Sequence, residues 1–109
     1  MREYRVVLTP RAEATLEAVG AWIAEASGFP KRAFDYIRKL RERIGDLRHA
    51  PIRGAARDDL RPGLRIWAID KRCVIAFEVD DGKAVVRVLN FYYGGRDYEA
   101  LLRLLREQP

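Results

Sequence analysis

The sequence predicts an α+β fold. An N-terminal strand and an antiparallel helix hairpin pack on an antiparallel sheet in the order β-α-α-β-β-β, with a short C-terminal helix at the end. Three observations predict it. Apolar residues recur at helical spacing twice between residues 10 and 48. Three apolar or alternating runs, rich in β-branched and aromatic residues, follow between residues 64 and 91. Short connections inside each group make its members antiparallel neighbours. A chain of 109 residues with no composition shift reads as a single domain, residues 1–109.

Residues 3–8 alternate loosely through Tyr4, Val6 and Leu8 and carry β-formers, so they read as a strand. Thr9-Pro10 opens the first helix, because a threonine hydroxyl caps free N–H groups and proline at the first position has no donor to lose. Ala12, Leu16, Val19 and Ile23 make one apolar stripe over about residues 10–26. Ser27-Gly28 ends it, since glycine accepts the left-handed C-cap. Pro30 opens a second helix with Ala33, Phe34, Ile37, Leu40, Ile44 and Leu47 on its apolar side. Pro51 disfavours helix at Ala50 and stops it near His49. Residues 51–63, rich in Pro, Gly and charge, read as a loop. Residues 64–70, 72–79 and 84–91 read as strands. A turn at Asp80-Asp81-Gly82-Lys83 joins the last two, with Gly82 suited to positive φ. In the last strand Val86, Val88 and Asn90 share one face, and Val85, Arg87 and Leu89 the other. Gly94-Gly95 breaks the strand, and Asp97 caps a final helix with Leu101, Leu102, Leu104 and Leu105 on its apolar side.

Composition excludes several classes. A hydrophobic share of 49% is too high for a disordered chain. There is no apolar run of membrane-spanning length and no signal-peptide core, so no membrane contact and a cytoplasmic location are expected. One cysteine, Cys73, and one histidine, His49, leave no internal disulfide and no Cys- or His-rich metal site. No cofactor motif is present either. Charge is informative. The net charge is +5, yet residues 31–65 carry 11 of the 21 basic residues and 5 of the 16 acidic ones. That segment is therefore +6 and the remainder −1. A basic surface of this kind suits nucleic-acid phosphates and equally an acidic protein segment.

Three stretches then make the sequence specific: YRVVLTPRAEATLEAV (residues 4–19), RDDLRPGLRIWAI (57–69) and RVLNFYYGGRDYEALL (87–102). With these the chain resembles the ParE toxins of the RelE/ParE superfamily, the toxic halves of type II toxin–antitoxin modules. PGLR (62–65) and GGRDYEALL (94–102) carry the likeness to the ParE branch. The resemblance implies a toxin that inhibits DNA gyrase, serves in plasmid stabilisation, and is neutralised by a ParD-like antitoxin with an acidic tail. Toxin and antitoxin would form a hetero-oligomer, and the toxin itself is not expected to bind DNA. The alternative it implies is a RelE-like, ribosome-dependent mRNA endonuclease. That chemistry needs basic groups to hold the phosphate and a proton donor or acceptor at the ribose. Here the arginine that the nuclease branch carries inside the strand RCVIAFEV (72–79) is replaced by Val74, and only Lys71 remains of the lysines before it. A partial set of Arg65, Arg87, Arg96 and Tyr98 remains. The resemblance thus points to a protein-binding toxin rather than an enzyme.

Residues proposed for antitoxin or target binding are Trp22, Phe34, Arg53, Arg57, Arg61, Trp67, Tyr92, Tyr93 and Arg96. Each has a plain structural alternative. Trp22 and Trp67 suit either the core or a groove for a partner helix. Tyr92 and Tyr93 suit a binding hot spot or the closing of a core edge. Arg65 suits a phosphate or partner carboxylate, or an ion pair with Asp59 or Asp97. His49 reads as a helix-end histidine beside free carbonyls, and Cys73 as a buried thiol.

Overall fold

A computed structural model describes residues 2–94 of the chain. The expected C-terminal helix, with Arg96, Asp97 and Tyr98, lies outside the described residues. The elements are β1 (Arg5–Leu8), α1 (Pro10–Ser27), α2 (Pro30–Gly45), a 3-10 turn (Asp46–Arg48), β2 (Ala55–Ala56), β3 (Leu64–Ala68), β4 (Cys73–Asp80) and β5 (Val85–Tyr93). One five-stranded sheet has the order β1-β5-β4-β3-β2. Its β2, β3, β4 and β5 are antiparallel neighbours, and β1 joins β5 in parallel. The helix hairpin allows this by returning the chain to its start: the Tyr4 N–H donates to the Arg48 carbonyl at 2.8 Å.

Local chemistry fixes the hairpin. The Thr9 hydroxyl oxygen accepts from Ala12 N–H at 3.1 Å and donates to the Leu89 carbonyl at 2.9 Å, so one side chain caps α1 and ties it to β5. Gly28 ends α1 at φ 74. Leu16, Leu40 and Ile44 from the helices then pack on Ile75, Phe77 and Val86 of the sheet. Leu60, Leu64, Ile66, Ala76, Leu89 and Tyr92 form a second cluster on the far face. Each fully buried Leu or Phe contributes roughly 1.5–3 kcal/mol.

Four local details differ from the expectation. Register breaks between Ala76, opposite Asn90, and Phe77, opposite Val88, so Leu89 is an extra residue. Phe91, not Asn90, therefore continues the helix-side face of Val86 and Val88. The Asn90 side-chain oxygen instead accepts from Thr15 Oγ1 at 2.6 Å and from Phe91 N–H at 2.9 Å. In the β4–β5 turn the positive φ falls on Ala84 (53°) rather than Gly82, and the Asp80 carboxylate accepts from Lys83 N–H within the turn. The loop after α2 contains β2, which Gly54 leads in at φ 69; a Cβ there would meet the Ile66 carbonyl oxygen at 2.0 Å. Phe34 is 70% exposed rather than core. Ala33, Leu40 and Ile44 are the buried row of α2, and Phe34 sits about 100° around the helix from Ala33.

Candidate partner-binding site

A concavity on the helix side lies where α1, the start of α2 and the end of β5 meet. Trp22, 59% exposed, stands edge-on to Tyr93 with ring centroids 5.8 Å apart. Tyr93 meets Tyr36 edge-on at 5.6 Å. Trp22 lines two cavities, of about 720 and 670 Å³, that share Tyr93 and Gly94. The first also has Ile23 and Tyr36, with Arg32, Lys39 and Arg72 against one carboxylate, Asp35. The second runs along α1 over Ala14, Ala18, Val19 and Phe91 and reaches Arg11. Small exposed alanines on α1 leave the space. The result is an aromatic groove with a cationic margin, which fits an amphipathic segment carrying apolar and acidic side chains.

Tyr36 is held in place. Its hydroxyl donates to Asp70 Oδ2 at 3.0 Å, and Asp70 Oδ1 accepts from the N–H groups of Arg72 (2.7 Å) and Cys73 (2.8 Å). Asp70 thereby shapes the β3–β4 turn that presents Arg72. Burial first, and then Asp70, raise the Tyr36 phenol above its ordinary range, so it stays a neutral donor. Burial also pushes the Cys73 thiol up to about 12, which makes it packing rather than a nucleophile.

The basic segment does not form one surface. Arg57 clamps Asp59 through two hydrogen bonds of 3.0 and 2.9 Å. Arg61 reaches Glu78 at 3.9 Å on the far face. Arg53 turns to the helix side, its Cζ 5.2 Å from the Trp67 ring centre. Trp67 itself is only 9% exposed and belongs to the core. Tyr92 is buried in the far cluster, so of its two alternatives the structure realises the core-closing one. Of the two carboxylates offered as ion-pair partners for Arg65, Asp59 is not paired with it and Asp97 lies outside the described residues; Arg65 donates to the carbonyls of Arg53 (3.0 Å) and Gly54 (3.3 Å).

Two members of the partial nuclease set, Arg65 and Arg87, do not converge. Arg65 is opposite Phe77, a helix-side core residue, whereas Arg87 is opposite Glu78. Residues directly opposite share a face. Glu78 is in turn opposite Leu64 of the far cluster, so Arg65 and Arg87 project from opposite faces. Arg87 is further countered by Glu78 at 3.4 Å. The far-face recess around it has charges of both signs, from Arg5, Lys83 and Arg87 to Glu78, Asp80 and Asp81. Arg96 and Tyr98 lie outside the described residues. Among the described residues no cluster of His, Cys, Asp or Glu could hold a metal ion, and no helix is long and apolar enough to cross a membrane.

Of the sequence-proposed residues, the groove gathers Trp22 and Tyr93. Sequence reasoning missed Arg32, Tyr36 and Lys39. Their four- and three-residue spacing makes a stripe beside the apolar row of α2, a signal the sequence did contain.

Residues 6–98 match the family described as ParE toxin of type II toxin-antitoxin system, parDE. No curated protein matches. Among solved structures, the chain is similar to one from the chromosomal ParDE TA system of P. aeruginosa, at TM-score 0.71 and 20% identity over 84% of this chain and 97% of that one. It is also similar to a chain of the toxin-antitoxin complex RelBE2 from Mycobacterium tuberculosis, at TM-score 0.58 and 18% identity over 88% and 97%. At these identities the structural likeness speaks to the fold, and the family match over most of the chain speaks to membership. This chain belongs to the ParE toxin family of type II toxin–antitoxin systems.

Proposed function

We propose that the protein is a toxin that acts by binding DNA gyrase and is held silent by a ParD-like antitoxin whose acidic, amphipathic tail occupies the Trp22–Tyr36–Tyr93 groove. The observation that carries the antitoxin part is the groove itself: the exposed Trp22 beside the half-buried Tyr36 and Tyr93, with Arg32, Lys39 and Arg72 along it. A tail that orders on binding needs large apolar contacts to offset its lost entropy, and this surface offers them. Family membership supports a gyrase target. The split between Arg65 and Arg87, and the Glu78 carboxylate facing Arg87, speak against a phosphate-cleaving centre built on those two residues.

The test pairs two assays on purified toxin. Gyrase supercoiling is expected to fall, with or without trapped DNA cleavage, while translation of a reporter mRNA in a ribosomal extract continues. Cut mRNA in the ribosomal A site with supercoiling untouched would reverse the assignment. Growth of cells expressing the toxin alone, with no arrest, would mean an inactive member that only binds its antitoxin.

A further inference from the structure

The arginines of the basic segment differ in how they are held. Within residues 31–65, Arg38, Arg41, Arg57 and Arg61 each have a carboxylate within 4.0 Å. Arg43, Arg53 and Arg65 have none among the described residues. These three are instead positioned by uncharged groups. Arg43 donates to the Ile69 carbonyl at 3.4 Å, Arg53 to the Ala50 carbonyl at 3.2 Å, and Arg65 to two carbonyls. Arg43 and Arg53 both lie 5.2 Å from the centre of the buried Trp67 ring, so their charges are within about 10 Å of each other, twice that distance. Each guanidinium spends one N–H on a carbonyl and leaves most of its five donors unspent among the described residues, so both can bind an anion beside the ring.

We infer that the Arg43–Trp67–Arg53 stack, extended along β3 by Arg65, is a carboxylate-binding site for an acidic peptide segment. Three observations select a peptide over nucleic acid. The indole is 9% exposed and already engaged by two guanidiniums, so no base can stack on it. Ile52, 74% exposed, stands next to Arg53 in the chain and suits an apolar neighbour of the acidic side chain. Glu42, Asp46 and Asp70 line the recess beside Arg43 and repel any continuous row of anions, phosphates or carboxylates alike, so the site admits one isolated acidic side chain between uncharged neighbours. Lys39 lines both that recess and the aromatic groove, so one extended segment can run from one to the other. Only this last continuity rests on the groove being a docking site.

The chain has two tryptophans, so W22F leaves Trp67 as the sole reporter. In that background the probe is a short peptide of glutamate, serine and leucine, against the same peptide with glutamine for glutamate. The glutamate peptide is expected to change Trp67 emission saturably, and the glutamine peptide to leave it unchanged. R43Q/R53Q should weaken the glutamate peptide about tenfold or more. R38Q/R41Q removes the same net charge from arginines already paired with Glu42 and Glu13, and should cost less than about threefold. Equal losses in the two double variants would overturn the site in favour of bulk charge. A duplex oligonucleotide giving the same saturable change, with the same arginine dependence, would overturn the peptide. If R43Q/R53Q fails to fold, R43K/R53K decides. It keeps the charge but loses the planar fork, so undiminished affinity contradicts the proposal. Tail docking can fail while this site binds glutamate peptide, so the two readings fall separately.

Discussion

Gly54 and Cys73 show how single residues constrain this fold. Gly54 takes φ 69 with its absent Cβ pointing at the Ile66 carbonyl oxygen, and its own carbonyl receives Arg65. G54A therefore has to shift β3 as well as adopt a left-handed backbone. A loss of at least about 2 kcal/mol in urea denaturation is expected. Glycine in a Pro/Gly-rich loop is visible in the sequence; that its Cα touches a strand twelve residues on is not. Cys73 makes a pH prediction. Burial raises its thiol from an ordinary 9.0 to about 12, and Tyr36 shifts in the same direction. The unfolded chain then loses protons before the folded one. Stability should be full below about pH 9 and fall as pH rises from there toward 12. Urea midpoints at pH 7 and pH 10 measure this, and C73A should flatten the fall. In the native protein the thiol should also resist alkylation at pH 8 that the unfolded chain undergoes readily.

At the level of elements, α1 does two jobs, one through its cap and one through its exposed side. Thr9 caps it and bonds β5, so T9A should cost about 1–2 kcal/mol, read as a lower thermal midpoint. Trp22 on the same helix is mostly exposed, so W22A should leave that midpoint nearly unchanged. It should nevertheless weaken antitoxin binding by at least about 2 kcal/mol, roughly thirtyfold, in calorimetric titration. A variant that loses both together would return Trp22 to a packing role. Helices were the readable part of the sequence, because spacings of three and four plus Pro and Gly at the ends leave few alternatives. The strands were readable only up to their register. Alternation in β5 puts Asn90 with Val86 and Val88, and the extra residue Leu89 undoes that by exchanging it for Phe91. A bulge is decided by what the core gains, here a buried phenyl ring instead of a buried amide, and no local spacing encodes it. Strand β2 was hidden for a related reason: two alanines in a charged loop carry no period.

For the molecule as a whole, the net charge of +5 changes meaning once it is placed in space. One stretch of 35 residues supplies it, yet the fold sends Arg61 to the far face, holds Arg57 on Asp59 and, among the described residues, gives Arg43, Arg53 and Arg65 no carboxylate on the helix side. Sequence could show that the segment was basic. It could not show which cations were already neutralised, because Glu78 and Glu13 come from other elements. The same holds for the candidate site: Trp22 and Tyr93 are 71 positions apart, and only the pairing of α1 with β5 brings them together. The proposed function makes the helix side the face that receives partners, one of which would silence a gyrase-directed toxin. The most direct measurement is gyrase supercoiling with purified toxin, alone and with equimolar cognate antitoxin, for the natural toxin and for W22A. Inhibition by both toxins is expected, with full relief of the natural one by antitoxin and incomplete relief of W22A. Undisturbed supercoiling by folded natural toxin, with mRNA cleaved on ribosomes instead, would contradict it.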